Sequence, residues 1–217
     1  MKRRPVKLKQ AKSRICPPDS EIRRAVDAIQ QGGVVAVPTE TYYGLAVDPD
    51  NEAALERLFR IKQRPKHKPI LLLISKIEQL YRYAESIPEP FNTLIDMYWP
   101  GPLTLVFPAR AEVSPLLTGG TGTIGLRLTP EPCTRRIIDL LGKPITATSA
   151  NPSNLEPARS AEQVLRILGD QLACVVDGGT ADEGPGSTVI SIRAGRLCLE
   201  RPGRITLPVS LPWCSEL

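Results

Sequence analysis

Aromatic side chains, histidine and paired cysteines are all scarce in this chain of 217 residues. Aromatics make up 5% of it, too few for the row of stacking platforms that single-stranded RNA binders use. The one histidine, His67, sits between Lys66 and Lys68 in an expected loop, which reads as a solvated side chain rather than a catalytic base and leaves no His/Cys ligand set for a metal. Five cysteines, Cys16, Cys133, Cys174, Cys198 and Cys214, form no Cys-x-x-Cys pair, and an odd count makes a poor disulfide framework. They read as reduced thiols of a cytoplasmic protein. No apolar run reaches the roughly 18 residues that span a bilayer, and the basic start lacks the apolar stretch of a secretory signal. There is no Gly-x-x-x-x-Gly-Lys-Ser/Thr phosphate loop and no Gly-x-Gly-x-x-Gly that opens a helix after a strand, so ordinary kinase, NTPase and dinucleotide readings lose support.

With 41% hydrophobic and 24% charged residues, the chain has the composition and length of one globular domain with a substantial core. Its net charge of +5 is unevenly spread. Seven basic residues (Lys2, Arg3, Arg4, Lys7, Lys9, Lys12 and Arg14) precede the first acidic one, Asp19, and the remainder carries 21 basic against 23 acidic residues. The expected organisation is therefore a basic arm over 1–18, an α/β domain over 19–206 and a tail over 207–217. Such an arm suits an anionic surface or tRNA, and equally a solvated terminus.

Hydrophobic periodicity divides the domain into alternating elements. A helix opens at Asp19-Ser20, places Ile22, Ala25, Val26 and Ile29 on one face, and stops at Gly32-Gly33. Val34–Val37 is a buried strand. Asn51 to about Lys62 is a second helix that Pro65 keeps from running on. The pattern then predicts a strand at Ile70–Ile74, helices at Ile77–Ala84 and Phe91–Tyr98, strands at Leu103–Phe107 and Ile124–Leu128, a helix at Arg135–Leu141 and a strand at Ile145–Thr148. A helix at Ala161–Leu168 and a strand at Cys174–Val176 follow. Thr188–Ile192 and Leu197–Glu200, joined by Arg193-Ala194-Gly195-Arg196, form a hairpin. The fold class is α/β, a mixed sheet flanked by helices.

Two polar signatures point to chemistry. Lys62 and Arg64, two residues apart, would face different ways on a helix, so both meet one ligand only if the chain leaves the helix between them. A point charge and a planar fork together suit a polyphosphate or a carboxylate. With Arg57, Arg60, Lys66 and Lys68 they make a local positive field, which on its own is also what a solvated face looks like. Ser149 and Asn151 follow a strand and precede Pro152, at the carboxyl end where open α/β sheets bind ligands. Two Gly-rich segments, Gly119–Gly122 and Gly178–Gly186, read either as turns or as loops over a site.

In order along the chain, Pro-Thr-Glu-Thr-x-Tyr-Gly-Leu at Pro38–Leu45, Lys-x-Arg at Lys62–Arg64, Trp-Pro-Gly-Pro-Leu-Thr at Trp99–Thr104, Ser-x-Asn at Ser149–Asn151 and Ser-Thr-Val at Ser187–Val189 resemble the YrdC/TsaC family of threonylcarbamoyl-AMP synthases in its short, single-domain form. The resemblance runs from about Ile22 to Ile205. It implies a twisted α/β domain with a concave, positively charged cavity in which L-threonine, bicarbonate or CO2 and ATP give threonylcarbamoyl-AMP and pyrophosphate. The product serves N6-threonylcarbamoyladenosine modification of tRNA through a downstream transferase complex. Carried over, Thr39, Arg127, Ala147 and Ser187 would hold threonine. Lys62, Thr123, Ser149 and Arg201 would hold ATP with its Mg2+, without a protein metal site. Lys62, Arg64, Ser149 and Asn151 would form the catalytic group, Lys62 standing at a helix exit outside the core. The alternatives are an RNA-binding or ribosome-maturation factor of the same fold and a paralogue acting on another carboxylated amine.

Overall fold

The computed structural model describes residues 16–153 and 155–208, so most of the expected basic arm and C-terminal tail lie outside the described residues. The elements in chain order are α1 (Asp19–Gln30), β1 (Val35–Val37), β2 (Gly44–Ala46), α2 (Glu52–Lys62), β3 (Leu71–Ile74), α3 (Glu89–Tyr98), β4 (Leu103–Pro108), α4 (Pro115–Thr118), β5 (Thr123–Leu128), α5 (Pro132–Leu141), β6 (Ile145–Ser149), α6 (Ala161–Leu168), β7 (Cys174–Val175), β8 (Thr188–Arg193) and β9 (Arg196–Arg201). They build one sheet of order β7-β1-β2-β6-β3-β5-β4-β8-β9. The pairs β1/β7, β3/β5 and β4/β8 are parallel and the others antiparallel, the mixed sheet that the pattern implied.

Local chemistry sets the boundaries. The side chain of Asn51 accepts the Ala54 amide at 3.0 Å and caps α2. That helix ends at Lys62 because Gln63 turns left-handed (φ 49°), before Pro65 can act. In the β8–β9 hairpin, Ala194 and Gly195 both have positive φ (49° and 75°), the geometry of a two-residue turn that matches strand twist. Ile77–Arg82 is a 3-10 turn and not the α-helix that its apolar spacing suggested. β2 and α4, of three and four residues, are too short to show a period and went unpredicted. Cys16, Cys133 and Cys174 carry free thiols, whereas Cys198 is disulfide-bonded, against the expectation of reduced cysteines throughout.

Helices cover the two faces of the sheet unequally. On one face, Leu55, Leu58 and Phe59 of α2, Phe91 and Leu94 of α3, and Val164 and Leu168 of α6 join Leu45, Leu72, Leu105, Phe107, Leu126 and Ile190 in a single apolar cluster. Each such side chain contributes about 1.5–3 kcal/mol through burial. On the other face, α1 and α5 pack on Val35, Val37, Ala46, Leu73, Ile145, Ala147 and Val176. The second-face residues of β4, β5 and β8 have no place in that cluster. Those positions are Thr104 and Val106, Thr123, Gly125 and Arg127, and Val189 and Ser191, every second residue of each strand, and they form the floor of a cavity.

Candidate functional site

The cavity has a volume of about 770 Å³. Of the residues predicted for the site, Thr39, Arg64, Thr123 and Arg127 line it, as do Ala147, Ser149, Ser187 and Arg201. Lys62 and Asn151 are not among its lining residues. The hollow opens on a sheet face. Ser149, at the carboxyl end of β6, is in its lining, whereas Lys62 is held back from it.

Lys62 is 2% exposed, and its ammonium donates to the carbonyl and hydroxyl oxygens of Ser149 and, at 2.9 and 3.0 Å, to the carbonyl and side-chain oxygen of Asn151. The Lys62 carbonyl in turn accepts the Ser153 amide and hydroxyl. The last residue of α2 thus clasps the exit of β6 from behind the wall. The expectation that Lys62 stands outside the core is corrected: truncating it would orphan several buried acceptors. Burial, and then the charge of nearby Arg64, lowers the Lys62 pKa to about 7. The left-handed Gln63 separates the two cations, sending Lys62 inward and Arg64 to the cavity, where Nη2 of Arg64 is braced by the Pro69 carbonyl at 2.8 Å.

Arg64 and Arg201 each have a lowered pKa, through burial first and then through repulsion from Arg201 and Arg127 respectively. Both line the cavity together with Arg127 and Arg193. Arg127, whose side chain is 5% exposed, has its Nε 3.0 Å from Glu40 Oε1, an ion pair without an aligned hydrogen bond. Glu40 is itself anchored by the Thr129 hydroxyl at 2.8 Å. Arg201 is aimed by Ser187, donating to its carbonyl from Nε and Nη2 and to its hydroxyl at 3.0 Å. The hydroxyls of Ser187 and Thr104 share a 2.8 Å hydrogen bond. Thr39 Oγ1 accepts the amides of Thr41 and Tyr42 and donates to the Tyr42 carbonyl, which fixes the Pro-Thr-Glu-Thr turn.

Sequence reasoning missed Thr41, Tyr42, Thr104, Thr121, Ser191 and Glu200 as lining residues. A signal existed for some of them. Thr123-Ile-Gly-Leu-Arg-Leu128 and Leu103-Thr-Leu105 alternate strictly, and a strand whose second face is polar or small, inside a sheet flanked by helices, marks a surface left for something else. The Gly178–Gly186 segment is tied down at several points. The Tyr43 hydroxyl donates to the Gly179 carbonyl at 2.8 Å, Tyr42 donates to Gly184 at 2.9 Å, and Arg204 donates to Pro185 at 3.0 Å. Arg159 also donates to Gly184 and lies 5.0 Å over the Tyr42 ring. Burial pushes the Tyr43 hydroxyl up to about 12. Among the described residues no group of three or more His, Cys, Asp or Glu side chains could hold a metal.

A mixed sheet with a hollow cut into its half-covered face, rimmed by arginines and hydroxyls, defines a ligand-binding α/β protein. The same architecture occurs in the crystal structure of E. coli YciO, with a TM-score of 0.78 at 26% identity over 88% of this chain and 92% of that one. This chain belongs to the Sua5/YciO/YrdC family, whose model, described as telomere recombination, matches residues 27–203. It is similar to the threonylcarbamoyl-AMP synthase of Aliivibrio fischeri, 43% identical over 159 residues that cover 72% of this chain and 86% of that protein. The threonylcarbamoyl-AMP synthase of Pyrococcus abyssi is 38% identical over 187 residues, covering 86% of this chain and 55% of its own length. The structure of P. abyssi Sua5 complexed with L-threonine matches with a TM-score of 0.82 at 38% identity, over 86% of this chain and 55% of that one.

Proposed function

We propose that this protein is an L-threonylcarbamoyladenylate synthase, making threonylcarbamoyl-AMP and pyrophosphate from L-threonine, bicarbonate or CO2, and ATP. The observation that carries the reading is the convergence of Arg64, Arg127 and Arg201 on one cavity in a chain whose relatives bear that name. Mutually repelling cations around a hollow are stabilised by a polyanion, and the substrates supply a triphosphate and a carboxylate.

In this reading the amino-acid carboxylate meets the terminal nitrogens of Arg127, whose Nε side Glu40 already occupies. Ser187 and Thr39 supply hydroxyls beside it, and the small Ala147 leaves room for the threonine side chain. Arg64, Arg201, Thr123 and Ser149 surround the phosphates, and Lys62 acts through Ser149, holding its hydroxyl and carbonyl in place and adding positive charge from behind. Mg2+ comes with the nucleotide as its counter-ion. Threonine's amine adds to CO2 to give a carbamate. Its oxygen attacks the α-phosphorus, the bond to the β-phosphate bridge breaks, and pyrophosphate leaves. No protein nucleophile is needed: positioning and neutralisation of charge carry the rate. The product would feed a transferase that modifies tRNA, and we assign the reaction to the cytoplasm. No described helix is long and apolar enough to cross a membrane.

The test is pyrophosphate release from ATP, expected only with threonine and bicarbonate both present; equal release without threonine overturns the reading. A paralogue acting on another carboxylated amine is the alternative reading. A panel of amino acids in the same assay separates the two. Binding of tRNA through the basic arm would show as affinity that falls steeply with salt.

A further inference from the structure

One side chain of the cavity wall, Glu200, has no part in the roles above. β8 and β9 pair with a register shift, Val189 opposite Arg201 and Ile190 opposite Leu199, so that Glu200 is an extra residue. Neighbouring residues of a regular strand point to opposite faces, but a bulge re-aims one of them. Here it brings both Glu200 and Arg201 into the cavity lining. The Ser191 hydroxyl at 2.6 Å and Arg193 Nη2 at 2.7 Å both donate to Oε1 of Glu200, and among the described residues none bonds Oε2.

Glu200 is the one carboxylate among the described lining residues, in a wall that also carries Arg64, Arg127, Arg193 and Arg201. A carboxylate repels phosphate, so beside a nucleotide it has to face donor hydrogens. The donors next to the phosphates of a nucleotide are the ribose hydroxyls, and Glu200 adjoins Arg201 in the chain. Alongside lies a smooth strip. Val106 pairs with Gly125, and Leu71 stands next to Gly125 in the β3–β5 register. A Cβ on Gly125 would come within 3.3 Å of Leu71 Cβ and 3.4 Å of Thr104 Cγ2, so the glycine keeps the floor low where a flat ring can rest.

We infer that Glu200 accepts hydrogen bonds from the ribose hydroxyls of the bound nucleotide, with the base lying on the strip formed by Leu71, Gly125 and Val106. The inference rests on the nucleotide half of the proposed function. Calorimetric binding of ATP, 2′-deoxy-ATP and ITP to the full chain, to Glu200→Ala and to Glu200→Gln tests it, with circular dichroism as the folding control. The unaltered protein is expected to prefer ATP to 2′-deoxy-ATP about tenfold, the worth of a hydrogen bond to a charged group. Glu200→Ala is expected to bind the two alike, to keep the ATP/ITP ratio and to leave the KM for threonine unchanged, and Glu200→Gln is expected to fall between. Gly125→Ala should weaken binding of all three nucleotides while inorganic triphosphate competes as before. A Glu200→Ala protein that still discriminates against 2′-deoxy-ATP, or that loses only its ATP/ITP preference, overturns the inference. Failure to bind any nucleotide overturns both this inference and the synthase reading. Nucleotide binding without threonine-dependent pyrophosphate release overturns the synthase reading alone.

Discussion

At neighbouring levels of the β4–β5 pair, Leu126 and Leu105 point one way into a packed core, and Arg127 and Thr104 point the other way into an open hollow. The strands are shared; only the cover differs. Where α2, α3 and α6 lie on the sheet, large apolar side chains interlock, as in the edge-to-face pair of Phe91 and Phe107 at 5.0 Å. Where α1 and α5 stop short, the strands present hydroxyls, a glycine and a cation. The first face stabilises the protein, and the second brings Arg64, Arg127 and Arg201 to one hollow.

The sharpest way to break this contrast is Phe107→Ala, expected to cost about 3–5 kcal/mol of stability in urea denaturation; a loss below about 1 kcal/mol would mean that the covered face is not a packed core. Arg64→Ala should do the opposite. Stability stays within about 1 kcal/mol because a repelled cation is removed, while threonine-dependent pyrophosphate release falls about a hundredfold. Unchanged turnover would remove Arg64 from the phosphate site.

Between the faces stands Lys62. With a folded pKa of about 7 against an unfolded value near 10.4, the unfolded chain holds a proton that the folded chain has released, so stability rises as pH climbs from 7 toward 10. Below pH 7 both states are protonated and the cost of burying the charge stands in full. Urea midpoints of the unaltered protein and of Lys62→Met at pH 7 and 9.5 should diverge by up to about 1 kcal/mol per pH unit; parallel curves would show that burial does not depress this lysine. The smallest effect belongs to Ser187→Ala. Arg201 keeps its bonds to the Ser187 carbonyl, so only about 1 kcal/mol is lost, read as a rise of a few-fold in the KM for threonine.

Most elements were legible because their signals are local: the helical spacing of Ile22, Ala25, Val26 and Ile29, the Ala194-Gly195 turn, and Asn51 as a cap all act within a few residues. Eight of the predicted site residues line one cavity, but the motifs that named them could not say which face of the sheet would hold it. Lys62 was misplaced because nothing near it in sequence shows that Ser149 and Asn151 fold over its ammonium. Glu200 escaped notice because its orientation depends on a register shift between two strands.

The sequence by itself determined the α/β alternation, the turns, and the strands with one apolar and one polar face, since propensity, capping and periodicity operate over a few residues. Tertiary structure alone decided that α1 and α5 cover half a face and leave the other half open, that Lys62 goes behind the wall while Arg64 enters the cavity, and that a bulge turns Glu200 inward. These outcomes depend on packing and strand register between segments about 100 residues apart and more, such as the Val47 amide bonded to Thr146 and the pairing of Val35 with Cys174, and no local pattern encodes such distances.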